Sequence, residues 1–397
     1  MNEFTSGLDS VFSKILSKEN IYEATEIQKI VIPHLLEKND NIIFSSQTGT
    51  GKTYAYLLPI LQNITPNDET QVVIIAPTLE LCAQIKTKTD FLLQGLAAEK
   101  TTAHINAVLL TGSGNIKHQV DALKKSKPEI IIGNTKRILQ LAEQRKLRLS
   151  RTRFVVLDEV DRLISAELLD ETAVLLSLIK NESLVCAACS ATVSKRHIDQ
   201  VQKLLGKDFV FKQSESSEIL QNNISHFAIW SEERRKIETL RSFISAVDPK
   251  KALVFTDKSD DVCNIVSKLQ YRKKSVGGIY SGMDKKERKL ALENFIQGSF
   301  NILVSSDLAA RGLDIPNIKY IIQLTVPENS DIYVHRAGRT ARAGKKGIMV
   351  SIGAEKDLRH LQNIEKKLRI KVFPKVLYGG KLLAPEDLEN PKTQDEV

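Results

Sequence analysis

The chain has few features of a membrane or secreted protein. No stretch approaches the roughly 18 consecutive apolar residues that cross a bilayer, so we expect no membrane span and no membrane partner. The first residues include Glu3 and Asp9 but no arginine, and no basic segment is followed there by an apolar one. Such a start is unlike a secretory signal or an organellar transit peptide. We therefore expect a cytoplasmic protein.

Cysteine is scarce, with four in 397 residues. Cys186 and Cys189 form a CxxC pair, which occurs in redox and zinc sites. A zinc site needs four ligands, and no second pair of ligands lies nearby in the sequence. The segment LVCAACSAT is typical of a buried strand, where small apolar cysteines fit well. We interpret both thiols as core residues of a protein in a reducing compartment.

The sequence also lacks solenoid repeats and a tail rich in lysine or arginine. It carries 57 Lys and Arg against 48 Asp and Glu, which gives a formal net charge of +9. This charge is compatible with an ordinary basic surface, and equally with a polyanionic partner such as nucleic acid. The charge alone does not decide between the two.

Short apolar runs alternate with longer amphipathic segments along the chain. The runs are 41–46, 72–77, 106–112, 129–133, 154–159 and 185–191 in the first half, and 252–257, 276–281, 301–306, 320–325 and 347–353 in the second. Apolar strands separated by helices predict parallel sheets that are covered on both faces. The expected fold class is α/β, with two tandem domains that each hold a mostly parallel sheet with helices on both faces.

A polar segment without periodicity separates the halves and predicts a linker. We expect an N-terminal domain at 1–213, the linker at 214–222, a C-terminal domain at 223–372, and a loosely ordered tail at 373–397. Ligands of open parallel sheets bind beyond the carboxyl ends of the strands. A cleft between the two domains is therefore the expected site.

A strand, a glycine-containing loop and a helix follow one another around residue 50. Two glycines let backbone N–H groups converge on phosphate oxygens, and the helix offers its positive N-terminus to the same anion. The lysine would reach the β- and γ-phosphates of ATP, and the threonine after it would bind Mg²⁺. A simple glycine-rich turn is the alternative. The loop consists of Ser46, Gln47, Thr48, Gly49, Thr50, Gly51, Lys52 and Thr53, with Ser46 in place of the usual glycine.

Two further motifs, one acidic and one basic, complete the expected chemistry. Asp158 and Glu159 end a buried strand about one hundred residues after the loop. We expect Asp158 to hold Mg²⁺ through water, and Glu159 to position and deprotonate the attacking water. In HRAGRTARAG, Arg339 and Arg342 have helical spacing and are predicted to share a helix face. They are candidate arginine fingers for the γ-phosphate, and a solvated basic helix is the alternative.

In this order, these residues resemble the motifs of the DEAD-box RNA helicases of superfamily 2, from Phe4 to Gly344. Asp158-Glu159-Val160-Asp161 stands at the position of the tetrapeptide that names the family. The resemblance implies two RecA-like domains and an RNA-dependent ATPase that uses ATP and Mg²⁺. It also implies local unwinding of short RNA duplexes or remodelling of ribonucleoproteins, with ribosomal or other ribonucleoprotein partners and a monomeric state as further expectations.

The resemblance extends to three further groups of residues. Asp161, the Ser190 and Thr192 of a Ser-Ala-Thr motif, and His335 would couple hydrolysis to strand separation. Thr25 and Gln28 would read adenine and Phe4 would stack on it, while Gly312 and Asp314 would face the ribose and phosphates. The predicted RNA contacts are Pro77, Thr78, Gly112, Gly114, Arg137, Ser306 and Arg311.

Departures from the family pattern concentrate on the RNA side. Leu79 replaces an arginine, residues 134–136 replace Thr-Pro-Gly with Asn-Thr-Lys, and Lys285 replaces a glutamine. A second function therefore stays open, namely an ATP-gated RNA clamp or scaffold with little unwinding. A DNA translocase would share the phosphate loop and arginines, but would not combine Thr25 and Gln28 with these acidic and Ser-Ala-Thr motifs.

Overall fold

The computed structural model describes residues 7–38, 40–46, 49–99, 104–112, 114–214, 222–310, 315, 318–341 and 345–389. The chain divides into two compact units, Met1–Glu215 and Ser216–Val397. Several residues predicted to be functional lie outside the described residues. They are Phe4, Gln47, Thr48, Arg311, Gly312, Asp314 and Arg342.

The first unit is built on a parallel sheet. Over the described residues, its seven strands are β1 (Ile42–Ser45), β2 (Val72–Ile75), β3 (Ala107–Leu110), β4 (Ile130–Gly133), β5 (Phe154–Asp158), β6 (Val185–Ser190) and β7 (Val210–Gln213). They lie side by side in the order β3-β4-β2-β5-β6-β1-β7, and every neighbouring pair is parallel.

Helices connect these strands. They are α1 (Ser10–Ser17), α2 (Glu26–Pro33), a π-helical turn (His34–Lys38), α3 (Lys52–Asn63), α4 (Leu79–Ala98), α5 (Ile116–Ser126), α6 (Thr135–Glu143), α7 (Val160–Leu163), α8 (Leu169–Ser177) and α9 (Lys195–Leu205). Polar side chains begin several of them. Thr78 accepts a hydrogen bond from Leu81 N at the start of α4, and Asn134 accepts one from Arg137 N at the start of α6.

Two apolar cores sandwich this sheet. Side chains alternate across a strand, so Ile42 and Phe44 of β1 enter one core while Ile43 enters the other. Strand β2 alternates in the same way. Burial on both faces is why these strands are continuous apolar runs in the sequence.

The second unit has the same sheet topology. Within the part that the structure describes, its parallel sheet holds β8 (Ile224–Trp230), β9 (Ala252–Thr256), β10 (Val276–Ile279), β11 (Ile302–Ser306), β12 (Tyr320–Gln323), β13 (Gly347–Gly353) and β14 (Val372–Pro374). Their order is β10-β11-β9-β12-β13-β8-β14. The order β9-β12-β13-β8 at the centre of this sheet corresponds strand for strand to the order β2-β5-β6-β1 at the centre of the first sheet.

The helices of the second unit, except the last one, again lie between strands. They are a 3₁₀ turn (Glu233–Arg235), α10 (Lys236–Val247), α11 (Ser259–Tyr271), α12 (Lys285–Gln297), α13 (Asp307–Ala310), α14 (Ser330–Ala337), α15 (Glu355–Leu368) and α16 (Glu386–Glu389). Among the residues described, no helix is both long and apolar enough to span a bilayer.

The predicted fold class is confirmed, since each unit is a parallel sheet with connecting helices. The apolar runs identified in the sequence correspond to β1–β6 and β9–β13, while β7, β8 and β14 of the two parallel sheets were not predicted. Strand β7 lies at the sheet edge and alternates between half-buried and exposed side chains, as β8 partly does. Such mixed strands lack the continuous apolar signal of a central parallel strand.

Residues 373–389, which the sequence placed in a loosely ordered tail, carry regular structure. An antiparallel hairpin of β15 (Val376–Tyr378) and β16 (Lys381–Leu383) contacts α10. Its Leu377 and Leu382 pack against the second unit's core. Such apolar residues at alternating positions indicate strands. The acidic last residues of the chain suggested a loosely ordered tail, so these strands were not predicted.

Candidate nucleotide site and its neighbours

Three of the predicted motifs meet at one edge of the first sheet. Strands β5, β6 and β1 are neighbours, with Asp158 level with Cys189 and Ser45 level with Ser190. Because parallel strands end at the same edge, the glycine loop, the acidic motif and the Ser-Ala-Thr motif all begin there. The structure thus brings together residues that are more than a hundred positions apart in sequence.

The described part of the glycine loop has the backbone that glycine permits. Gly49 and Gly51 have φ angles of 85° and 91°, in the left-handed region that other residues avoid. Helix α3 begins directly afterwards at Lys52, whose ammonium donates to the carbonyl oxygen of Ser46. The hydroxyls of Ser46 and Thr50 lie 2.6 Å apart and close the loop from within.

The surroundings of Lys52 have two opposite effects on the pKa of its ammonium group. Burial lowers the pKa of its ammonium below the ordinary value, while Cys189, Asp158, Glu159 and Asp161 act in the opposite direction. Desolvation favours the neutral form of an amine and nearby carboxylates favour the charged one. A polyanion beside Lys52 would add to the second effect, so the site favours a bound phosphate.

Gln28 connects the start of α2 with the glycine loop. Its side-chain amide donates to Gly51 O at 3.1 Å, and its Oε1 accepts from Thr25 N at 2.9 Å. Gln28 is almost fully buried. A Cβ atom at Gly51 would lie 2.4 Å from Gln28 Nε2. The predicted adenine-reading glutamine is therefore also a structural support of the phosphate loop.

The Asp158 carboxylate is held by three donors. Tyr56 on α3 donates its hydroxyl to Oδ2 at 2.9 Å, while Cys189 Sγ at 3.3 Å and Glu159 N at 2.9 Å donate to Oδ1. Burial, reinforced by the Asp158 charge, raises the pKa of both Tyr56 and Cys189 well above their usual values. Both groups therefore keep their protons and act as donors, which fixes the carboxylate in one orientation.

Glu159 lies one residue beyond this clamped carboxylate, in an unusual conformation. Its φ angle is 51°, in the left-handed region, and it precedes the short helix α7. Within the described residues, its Oε2 is buried and has no hydrogen-bond partner. A non-glycine residue in this conformation and a buried unpaired carboxylate oxygen both cost free energy. Such costs cluster at functional sites, which agrees with the predicted role of Glu159.

The Ser-Ala-Thr motif contacts the acidic motif directly. Ser190 Oγ donates to Asp161 Oδ1 at 2.6 Å and accepts from Thr192 N at 3.3 Å. The predicted coupling residues of the first unit are thus within hydrogen-bond distance of one another. His335, the fourth predicted member, lies on α14 of the second unit and is buried.

Ser214 adds a contact that the sequence did not suggest. Its hydroxyl donates to Ser46 Oγ at 2.9 Å, and its backbone N–H donates to Ser45 O. Ser214 is buried and was predicted to begin the linker. These hydrogen bonds connect the phosphate loop and β1 to Ser214, near the C-terminal end of the first unit.

The predicted first-unit RNA contacts divide into two kinds. Pro77 and Thr78 are half-buried at the start of α4, next to Leu79. Arg137, by contrast, is buried and donates to Gly112 O, Gly114 O and Gln119 Oε1 at 2.8–3.2 Å. The Arg137 guanidinium therefore shapes the loop around the two glycines. The RNA contact that the family resemblance implies for Arg137 stays a prediction.

In the second unit, the side chain of Arg336 is the centre of a hydrogen-bond network. This side chain binds Asp307 through two hydrogen bonds of 2.7 and 2.6 Å, Asp257 at 3.2 Å and Gln323 at 2.9 Å. Its guanidinium also lies 5.3 Å from the Phe255 ring. Arg336 is almost fully buried, so it organises the carboxyl edge of this sheet.

The prediction that Arg339 and Arg342 share a helix face is wrong. Helix α14 ends at Ala337 and Gly338 is its C-cap, so Arg339 lies in the following turn. Arg339 is buried, and Arg342 is outside the described residues. Ser306, a predicted RNA contact, ends β11, and its hydroxyl is buried without a hydrogen-bond partner in the described part of the chain.

A glycine loop, a lysine and an acidic pair at the carboxyl edge of a parallel sheet are the features that P-loop nucleotide hydrolases share. The family model for DEAD/DEAH box helicases matches residues 25–201, and the helicase conserved C-terminal domain matches residues 235–344. These two matches correspond to the two units.

Individual relatives match along nearly the whole chain. The DEAD-box ATP-dependent RNA helicase CshC of Bacillus cereus is 34% identical over 367 residues, which cover 91% of this chain and 90% of that protein. The probable ATP-dependent RNA helicase YfmL of Bacillus subtilis is 32% identical over 381 residues, covering 96% and 98%. The chain belongs to the DEAD-box helicase family, as its motifs predicted.

Solved structures give the same fold. Mss116p bound to single-stranded RNA and AMP-PNP has a TM-score of 0.80 at 25% identity, covering 92% of this chain and 77% of that one. S. cerevisiae Dbp5 bound to RNA and ADP BeF3 has a TM-score of 0.81 at 22% identity, covering 93% and 94%. Both likenesses agree with tandem RecA-like domains.

Sequence reasoning missed residues that support the site. Tyr56 lies four residues after Lys52, one helical turn along α3, so its spacing was an available signal. Cys189 was interpreted as a core residue, and it is buried, but its thiol also faces Asp158. That contact depends on the register of β5 and β6, which the sequence does not encode locally.

We predict that Gly51→Ala weakens nucleotide binding by about tenfold or more, since a left-handed alanine costs roughly 1–2 kcal/mol. The added Cβ also displaces Gln28 from the loop. Binding of a fluorescent ADP analogue measures the effect.

Gly206→Ala is the matched control for this substitution. Gly206 also has a positive φ, of 61°, but a Cβ there meets no atom within 4 Å. It should cost stability and leave nucleotide affinity unchanged. Equal affinity for ADP in Gly51→Ala and the wild type would contradict the supporting role of the Gly51–Gln28 contact.

Proposed function

We propose that this chain is an ATP-dependent RNA helicase, which hydrolyses ATP when RNA is bound and opens short duplexes or remodels ribonucleoproteins. The observation that carries this proposal is the convergence of Lys52, Asp158 and Glu159 at one sheet edge in a DEAD-box chain. Relatives matched over at least 90% of their length are named as RNA helicases, one of them as probable, which supports the same activity here.

ATP would bind at the carboxyl edge of the first sheet. The backbone N–H groups around Gly49 and Gly51 and the N-terminus of α3 favour the phosphates. Lys52 would exchange its contact with Ser46 O for the β- and γ-phosphates. Gln28 and Thr25 would receive the adenine, with Gln28 linking base recognition to the loop through Gly51 O.

The residues present fit a magnesium ion. Mg²⁺ retains several waters and uses few carboxylates, and both oxygens of Asp158 already accept hydrogen bonds from the protein. A carboxylate whose two oxygens already accept hydrogen bonds suits an ion held through water. Thr53, in the first turn of α3, would supply its hydroxyl. When bound, Mg²⁺ would neutralise charge on the β- and γ-phosphates.

Glu159 would act as the base for the attacking water. Its Oε2 is buried beside the clamped Asp158 and has no hydrogen-bond partner in the described residues, so a water can be received there. The left-handed backbone at Glu159 turns its side chain away from the direction that the strand would give it. The proton of the water would move to this carboxylate as the water oxygen bonds to the γ-phosphorus and the bond to the leaving ADP breaks.

RNA would contact both units through its sugar–phosphate backbone. In the first unit we propose Pro77, Thr78 and the backbone at Gly112 and Gly114, with Arg137 as the support of that loop. In the second unit we propose Ser306, whose buried hydroxyl has no partner among the described residues. Backbone contacts carry no sequence information, so we expect broad substrate choice.

We also propose domain boundaries and a setting for this activity. The units would be an ATP-binding domain at 1–213 and a C-terminal helicase domain that extends beyond 372 to include the β15–β16 hairpin, with 214–222 as the linker. A monomeric state, a cytoplasmic location, and ribosomal or other ribonucleoprotein partners stay predictions.

Glu159→Gln should abolish RNA-stimulated ATP turnover while ATP still binds, because only the proton acceptor is removed. The variant should accumulate as a stable complex with ATP and RNA. Lys52→Ala should instead lose turnover together with phosphate binding. Phosphate release and retention of labelled RNA measure the two effects.

Glu182→Gln, at an exposed position, serves as the control for this pair of variants. It should behave as the wild type in both assays. Hydrolysis at the wild-type rate by Glu159→Gln would show that another group activates the water.

Arg339→Ala should reduce ATP turnover by about 10³-fold, the size of effect expected for an arginine finger. Nucleotide affinity of the first unit should stay unchanged, because Arg339 belongs to the second. Arg359→Ala on the exposed surface of α15 is the control. Turnover equal to that of the control would assign the transition-state charge to a different residue.

One observation favours an ATP-gated RNA clamp as a second candidate. At the start of α4 the chain has Leu79, which cannot donate to phosphate, and at the start of α6 it has the exposed Lys136. Arg137 is committed to protein acceptors. These features alter how the first unit holds RNA without altering the ATP site, so hydrolysis could persist with weak unwinding.

A further inference from the structure

A groove on the second unit lies apart from all predicted motifs. It is formed by the 3₁₀ turn and the first half of α10 on one side, and by the last turns of α11 on the other. Its volume is about 540 Å³. The lining residues are Arg234, Ile237, Glu238, Arg241, Ser267, Lys268, Leu269, Tyr271 and Arg272.

The groove is strongly basic. Four of its lining residues are cations and one, Glu238, is an anion. Glu238 pairs with Arg235 at 3.4 Å, and Arg234 pairs with Glu232 at 2.9 Å; both partners lie outside the groove lining. For Arg241, Lys268 and Arg272, the described part of the chain provides no carboxylate within salt-bridge distance. The groove therefore holds positive charge that the protein itself does not neutralise.

Helix stability explains only part of this charge. Lys268 and Arg272 lie at the C-terminal end of α11, where cations interact favourably with the helix dipole. Arg234 precedes the N-terminus of α10, where a cation is unfavourable, and Arg241 lies in the middle of that helix. Cations from two helices that face one space indicate an external anion.

An exposed aromatic ring lies among these cations. Tyr271 is 82% exposed, and the guanidinium carbon of Arg272 lies 5.6 Å from the centre of its ring. The half-buried Ile237 contributes apolar surface to the same groove. Basic side chains combined with an accessible ring are the features that bind single-stranded nucleic acid, through phosphate contacts and base stacking.

We infer that the α10–α11 groove binds single-stranded RNA that extends beyond the strand held by the helicase motifs. This inference rests on the proposed function and adds a second RNA-binding surface. An acidic peptide would use the cations but would leave the Tyr271 ring without a stacking partner. The site would tether the enzyme beside a duplex and would favour substrates with a single-stranded extension.

The test compares RNA strands that differ only in length. One strand is short enough to occupy only the helicase motifs, and two others carry a single-stranded extension at the 5′ or the 3′ end. Affinity is measured across a salt series with a non-hydrolysable ATP analogue. The groove variant is Arg241→Glu with Lys268→Glu. Its matched control is Lys366→Glu with Lys367→Glu, which changes charge equally on the exposed end of α15.

For the groove variant we expect about a tenfold decrease in affinity for one extended strand and no change for the short strand. The salt slope for the extended strand should fall by about 0.7 for each phosphate that the variant groove no longer neutralises. Tyr271→Ala should weaken the same complex by about tenfold, because the ring no longer stacks on a base. The control should bind all strands as the wild type does.

The outcomes separate this inference from the proposed function. If the short strand binds and stimulates ATP hydrolysis but the groove variant binds both extended strands like the wild type, the groove inference is overturned and the helicase proposal stands. If polyglutamate binds the wild type through Arg241 and Lys268 while extended RNA does not, the groove binds acidic protein instead. If the wild type binds no RNA at all, both proposals fail. Arg241→Gln with Lys268→Gln repeats the test should the charge reversal fail to fold.

Discussion

The site depends on the orientation of one carboxylate, that of Asp158. Three elements hold it: α3 through Tyr56, β6 through Cys189, and the backbone of Glu159. The same α3 begins with Lys52, and the same β6 ends with Ser190, which binds Asp161. A shift of any one element therefore moves the lysine, the acidic pair and the Ser-Ala-Thr motif together. A change at the phosphates would therefore reach the residues that we propose couple hydrolysis to RNA.

The second unit repeats the parallel sheet with different chemistry at its edge. Arg336 takes the central position there, bound to Asp307, Asp257 and Gln323. Burial of this guanidinium requires full hydrogen bonding, since an unpaired buried charge is costly. The strands β9, β11 and β12 are thus linked at their carboxyl ends through one side chain. The turn with Arg339 follows directly, so its position depends on the same network.

Much of this arrangement could be predicted because it follows local rules. Buried parallel strands are continuous apolar runs, and the glycine loop has a fixed spacing before its lysine. The failures have physical causes as well. Gly338 ends α14, so the regular spacing of the arginines did not mean a continuous helix. The three protein acceptors of Arg137 could not be predicted, because they lie 18 to 25 positions away in the sequence, while its RNA contact stays a prediction. The Cys189–Asp158 contact follows from strand register alone.

We propose that ATP hydrolysis at this sheet edge is coupled to RNA strand separation. It is tested most directly by measuring phosphate release and displacement of a short RNA strand in the same reaction. If the two are coupled, RNA stimulates phosphate release and ATP causes strand displacement. Glu159→Gln should abolish both over multiple turnovers. RNA-stimulated hydrolysis without displacement would contradict the helicase function and favour a clamp. Hydrolysis that is indifferent to RNA would contradict the coupling itself.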